Sequence, residues 1–208
     1  MRNGRGTDPK FPNPYMDEIR ETIVSACARG EDVRTALIAA RSSLVEKYAF
    51  AVPDARTVGV LARRGPLVEI GAGSGYWAWC LTQAGADIIA YDIAPPEDEL
   101  PWPHGSFEKG NYWFEHEWYQ VIEGGPEAAA RHPDRTLFLC WPPLDSPMAI
   151  DALTAYGGAG GRTLAYLGSP RSSADERFHE LRATLRCVER IEPWRWSGIE
   201  DVLEIYKL

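Results

Sequence analysis

Residues 67–81 read LVEIGAGSGYWAWCL. An apolar run, interrupted by the acid Glu69, passes directly into Gly71, Ala72, Gly73 and Gly75, and a helix-like run starts at once. Glycines at such a turn let the backbone approach a ligand closely, and the first turn of the helix presents unpaired N–H groups to it. A second apolar run, ADIIAYD, ends in Asp92, followed by Ile93. A carboxylate in that place can accept hydrogen bonds from two ribose hydroxyls. Strand, glycine loop, helix, strand and acid together make a nucleoside-binding unit. The segment GSGYWA also fits the G-x-G-x-x-A dinucleotide fingerprint, but the acid inside the strand and the G-x-G-x-G spacing from Gly71 count against NAD.

The second chemical constellation is TLFLCWPPLDSP, residues 136–147. A strand-like run ends at Cys140 and is stopped by Trp141, Pro142 and Pro143. Two prolines remove two donors and fix φ, which stiffens the loop and leaves preceding carbonyls free to accept. Trp141 offers one N–H and a π face, which attracts a sulfonium or an ammonium. His116, between Glu115 and Glu117, is the candidate general base; His104, His132 and His179 gain nothing from their spacing. The sequence has no Ser/His/Asp arrangement and no HExxH, so hydrolase chemistry has no foothold.

These residues need a scaffold. With 208 residues and 45% hydrophobic content the chain suits one domain: a flexible arm over 1–15, a helical cap over 16–60 and a core over 61–208. In the cap, Met16, Ile19, Ile23, Val24 and Cys27 recur at helical spacing, as do Val33, Ala36, Leu37, Ala40, Leu44 and Tyr48, predicting two helices. Short apolar runs at 67–71, 86–92, 119–124, 136–140 and 163–168 alternate with helical connections, which predicts a three-layer α/β/α sandwich around a mostly parallel sheet. The end of the chain, LRCVERIEPW and DVLEIYKL, reads as an antiparallel pair across a short polar loop. Aromatic residues gather after the glycine loop (Trp77, Trp79), in the long connection after Asp92 (Trp102, Tyr112, Trp113, Phe114, Trp118, Tyr119) and near the end (Trp194, Trp196), which suits either an aromatic wall for a planar or hydrophobic substrate or a satellite core under the loop.

The formal net charge is −8, and residues 67–160 carry only 3 Lys/Arg against 14 Asp/Glu. Such a field repels duplex nucleic acid, and it suits a cationic ligand or simply keeps the protein in solution. No apolar run approaches the roughly 18 residues of a membrane span, and the N-terminal residues contain no signal-like apolar segment, so a cytoplasmic protein is expected. Cys27, Cys80, Cys140 and Cys187 lie far apart and are expected as buried thiols, with no metal site. The oligomeric state stays open.

VEIGAGSG resembles motif I of the class I S-adenosylmethionine (SAM) dependent methyltransferases, and the order EIGAG, YD, WPP is similar to that of uncharacterised methyltransferase-like proteins. WPPL looks like the family's motif of Asn, Asp or Ser, then Pro-Pro, then an aromatic residue, with Trp141 in the polar place and Leu144 in the aromatic one. The resemblance implies a Rossmann-like seven-stranded sheet, mostly parallel with an antiparallel C-terminal strand, behind an N-terminal helical cap. It implies SAM as cofactor. Glu69 would organise the glycine loop near the cationic end of the methionine, with Gly71, Ala72, Gly73 and Gly75 flanking methionine and ribose. Asp92 would hold the ribose, Glu123 would lie beside the adenine, and Ile93 and Cys140 would complete the surroundings. Trp141, Pro142 and Pro143 would meet the substrate, with Trp141 and His116 nearest the chemistry. The implied function is methyl transfer to a small aromatic or cationic molecule. A SAM-using cyclase or lyase, and a non-catalytic SAM-binding or scaffold protein, are the other two readings.

Overall fold

The computed structural model describes residues 8–95, 113–114 and 116–208. The expectations for Trp102, His104, Tyr112 and Glu115 fall outside the described residues. Helices α1 (Pro14–Arg29), α2 (Val33–Lys47) and α3 (Ala55–Ala62) come first. Then follow β1 (Leu67–Ile70), α4 (Tyr76–Gln83), β2 (Ile88–Asp92), β3 (Val121–Glu123), a 3-10 helix (Pro126–Arg131), β4 (Thr136–Cys140), α5 (Met148–Gly158), β5 (Thr163–Gly168), α6 (Glu176–Thr184), β6 (Arg186–Ile191) and β7 (Val202–Lys207).

The sheet order is β3-β2-β1-β4-β5-β7-β6. The first five strands run parallel, and β7 lies antiparallel between β5 and β6. This is the Rossmann-like α/β/α arrangement. Covered on both faces, β1 and β4 need apolar residues at nearly every position, which is why LVEI and TLFLC read as continuous runs. Helix starts are written locally: Asn13, Asp32, Asp54 and Asp175 each accept a hydrogen bond from the backbone N–H three residues on.

Three expectations need correction. The arm is shorter than 1–15, because Asn13 caps α1 and Tyr15 is already a buried helical residue. The cap holds three helices, α3 being only eight residues long, with Ala55 and Arg56 exposed and Thr57 to Leu61 buried, too short to repeat a helical stripe. Of the four thiols, Cys80 is buried and Cys140 half-buried, whereas Cys27 and Cys187 are exposed. Cys27 lies next to the inward-facing Ala26 on α1, and Cys187 is on the edge strand β6. Among the described residues no helix is long and apolar enough to cross a membrane.

The pleat divides the core in two. Leu67, Phe138, Ala165, Leu203 and Ile205 join Tyr15, Tyr48 and Trp77 on the face covered by α1–α4. Val68, Leu137, Leu164 and Tyr206 face α5 and α6 with Tyr156 and Phe178. On that second face Glu204 is buried against Arg182, Arg190 and the Tyr206 hydroxyl, which ties α6 and β6 to β7. By alternation Glu69, Asp92 and Cys140 belong to the first face, beneath the cap.

Candidate active site

Gly71, Gly73 and Gly75 all adopt left-handed backbone conformations, with φ of 76°, 56° and 73°. No other residue type takes this path without strain. The loop is fastened to β2: the N–H groups of Gly71 and Ala72 donate to the Tyr91 carbonyl at 2.8 and 3.0 Å, and Gly73 N–H donates to Asp92 Oδ2 at 2.8 Å. Asp92 Oδ1 accepts from Ala94 N–H at 3.0 Å. Burial pushes the Asp92 carboxyl up, and the backbone N–H groups of Ala94, Gly73 and Ile93 oppose that shift. Ile93 beside it is 76% exposed, and Glu123, in register with Asp92 on the neighbouring strand, is exposed as well.

Glu69 is 1% exposed, and its Oε2 has no hydrogen-bond partner among the described residues. Among the described residues it forms no ion pair. Burial first, and then the neighbouring Asp92, push its carboxyl well above the ordinary range. The Cys140 thiol is raised too, by burial and by the charges of Glu69 and Asp201. Asp201 thus joins the same face, two residues before Leu203 on β7.

The WPP turn differs from its sequence reading. Trp141 has φ 49°, rare for a bulky residue and costing about 1–3 kcal/mol. Two hydrogen bonds offset that strain: its N–H donates to the Leu167 carbonyl at 2.8 Å, and its Nε1–H to Asp201 Oδ1 at 2.8 Å. One indole face stacks on Phe50, with centroids 5.5 Å apart and planes at 15°. The expected free N–H is therefore committed. The carbonyl between the two prolines, Pro142 O, accepts from Ala174 N–H at 2.8 Å. Pro142 is buried; Pro143 and Leu144 are exposed.

Phe50 also meets Trp113 and Phe114 edge-on, at 5.9 and 6.1 Å. Phe114 lies against Gly73, where a Cβ would strike its ring, and Met148 lies against Gly71. The aromatic wall is thus built from Phe50, Trp113, Phe114 and Trp141. Phe50 is set by the stretch after α2, whose carbonyls are met in turn: Lys47 O by Trp118 Nε1, Tyr48 O by Ser74 Oγ, Ala49 O by the Tyr15 hydroxyl and Ala51 O by Trp77 Nε1.

His116 is exposed and makes no hydrogen bond with another described residue. Its neighbour Trp118 is anchored through its N–H to Ser74 O at 2.8 Å. Trp77 and Trp79 belong to the core and its margin. Trp194 and Trp196 lie away from the glycine loop, walling a cavity of about 420 Å³ against Val33 and Leu37 of α2. Sequence reasoning missed Phe50 and Asp201. The signal for Asp201 was topological: an antiparallel β7 begins at the carboxyl ends of the parallel strands, so a polar residue just before it lands on the ligand edge.

No protein-family model matches the sequence, and no curated protein matches it. Among solved structures the chain is similar to a magnesium protoporphyrin IX methyltransferase from Synechocystis, at 15% identity over 74% of this chain and 77% of that one, TM-score 0.43. It is similar to an rRNA methylase from Streptococcus thermophilus, at 13% identity over 76% of this chain and 96% of that one, TM-score 0.43. A SAM dependent methyltransferase from Archaeoglobus fulgidus is similar at 13% identity over 74% of this chain and 90% of that one, TM-score 0.44.

Proposed function

We propose that this chain is a cytoplasmic SAM-dependent methyltransferase acting on a small aromatic or cationic molecule. The observation that carries the reading is the three left-handed glycines after β1, joined through Gly73 N–H to an acid at the end of β2. The residues fit the cofactor in charge. Glu69 keeps an unpartnered oxygen below the loop, and neither Glu69 nor Asp92 is in an ion pair among the described residues, so a cationic ligand would find buried acceptors waiting. They fit in shape once Phe114 and Met148 turn away from the glycines they cover.

When bound, SAM supplies an activated methyl group, so the protein has little covalent chemistry to perform. In this reading Asp92 holds the ribose hydroxyls on its remaining lone pairs, and Glu69 faces the cationic methionine end. Ile93 and Glu123 border the adenine, while Ala72 and Cys140 line the floor. Trp141 and the Pro142–Pro143 turn wall the substrate side, and Phe50 and Phe114 exclude water there. His116 keeps a role as base only if its exposed segment folds inward on binding.

The test is isothermal titration with SAM, S-adenosylhomocysteine and NAD. Micromolar binding of the adenosyl ligands, weakened about tenfold or more by Asp92→Ala and without an NAD signal, is expected. Binding of NAD alone, or no binding by the folded protein, refutes the reading. A second reading, SAM binding without methyl transfer, is favoured by the committed Trp141 N–H and Pro142 carbonyl. Incubation with substrate mixtures separates the two. S-adenosylhomocysteine marks methyl transfer, methylthioadenosine marks a cyclase or lyase, and unchanged cofactor marks a binding protein.

A further inference from the structure

Asp201 is fully buried at the ligand edge of the sheet, and its two oxygens are treated differently. Oδ1 accepts from Trp141 Nε1 at 2.8 Å, while Oδ2 has no hydrogen-bond partner among the described residues. Every element around it contributes a titratable or charged group: Tyr15 from α1, Arg41 from α2, Cys140 from β4, Tyr166 from β5 and Arg195 from the β6–β7 loop. Neither arginine forms an ion pair with it. Arg41 keeps a buried Nε without a partner, and Arg195 reaches Glu192 instead, at 3.7 Å. Burial raises the Asp201 carboxyl to about 6, held back by the Trp141 hydrogen bond and the two arginines. At neutral pH the group is therefore mostly ionised, with one acceptor atom unused in an aromatic setting. An ionised oxygen is costly to leave unmatched, and a donor that reaches it recovers that cost.

We propose that Asp201 Oδ2 is the recognition point for a small aromatic amine, whose ammonium or N–H group donates to it while the ring packs against Trp141. The Trp141 indole hydrogen bond holds the Asp201 carboxylate beside the WPP turn. The ligand reaches the oxygen by displacing Phe50 from the half-buried Phe50–Trp141 stack. This inference rests on the proposed function for its chemistry and names the substrate class of that same site.

The experiment compares three ligands of one ring by titration calorimetry: tryptamine, neutral 3-ethylindole and anionic indole-3-propionate, with and without S-adenosylhomocysteine. Tryptamine is expected to bind about tenfold or more tighter than 3-ethylindole, with indole-3-propionate weakest. Its affinity should rise with pH through about 6, as Asp201 ionises, and hold until the amine itself loses its proton near about 10. Asp201→Asn keeps an acceptor oxygen for Trp141, so it should fold and bind S-adenosylhomocysteine as before while losing the preference for the amine. Equal affinities for the three ligands, or a preference that survives in Asp201→Asn, overturns the proposal. Should that variant fail to fold, the wild-type profile decides: tryptamine affinity unchanged between about pH 5 and 8 overturns it equally. An Asp201-dependent amine preference without any adenosyl binding sinks the cofactor reading and leaves this one standing; adenosyl binding without amine preference does the reverse.

Discussion

Glu69 shows what a single buried acid does to a fold. It is enclosed on all sides, one of its oxygens lacks a partner, and its nearest charged influence is another carboxylate, Asp92. Its folded pKa lies well above the ordinary carboxylate value. Between those two values the folded state holds a proton that the unfolded state has released, so stability falls as pH rises through the window. Glu69→Gln removes the ionisable group while keeping size and polarity. The variant should be more stable than wild type at pH 7.5, by roughly 2–8 °C in Tm, and the gap should close toward pH 4.5. Thermal melts at the two pH values check this. A gap of the same size at both would show that charge is not its source. The same substitution should weaken SAM binding, so the residue that costs stability is the one the ligand needs.

At the scale of elements, the glycine loop and the aromatic segment facing it act as a fitted pair. Gly73 has φ 56° and no space for a Cβ because Phe114 lies on it. Gly73→Ala therefore meets two penalties, backbone and steric, together about 1–3 kcal/mol. Phe114→Ala removes only the second. In a double-mutant cycle by urea denaturation, the pair should be coupled by roughly 0.5–1.5 kcal/mol, with Gly73→Ala costing less once Phe114 is gone. Strict additivity would mean that Phe114 does not rest on the loop in solution. Phe114→Ala alone should tighten S-adenosylhomocysteine binding, since the ligand no longer displaces a ring. The glycine loop and Asp92 were legible in the sequence because both lie within one βαβ unit, where local pattern sets geometry. Most strands were legible for the same reason. The Trp141–Asp201 bond was not, because it joins residues 60 positions apart, one just after β4 and one just before β7, that become close only when β7 inserts beside β5. Nor was α3, whose eight residues are too few to repeat an amphipathic stripe, or the fate of the tryptophans, since composition does not tell a ring in a wall from a ring in a core.

For the whole molecule, the cap and the sheet share one core. Tyr15 and Ile19 from α1, Leu44 and Tyr48 at the end of α2, and Val58 and Leu61 of α3 pack in one cluster with Trp77, Phe138 and Leu203. Four side chains from α1, the glycine loop, α4 and the segment before β3 also hold the carbonyls that follow α2. Tyr15 is central to both: its ring stacks on Tyr48 at 4.8 Å, its hydroxyl donates to Ala49 O at 3.0 Å, and it accepts from Trp196 Nε1 at 3.3 Å. Tyr15→Phe keeps the ring and leaves a buried carbonyl and a buried indole N–H without their partner, a cost of about 1–3 kcal/mol. If cap and sheet are one cooperative unit, that loss at the cap lowers the stability of the entire chain. Tryptophan fluorescence and far-UV circular dichroism should then give coincident urea midpoints in wild type, and both should fall together in Tyr15→Phe. A cap that melted separately would split the two probes, and only one of the midpoints would move. Coincidence would also explain how Phe50 is held near Trp141: the backbone of the segment carrying it is fixed by the same contacts that hold the molecule together, which leaves only its ring to move.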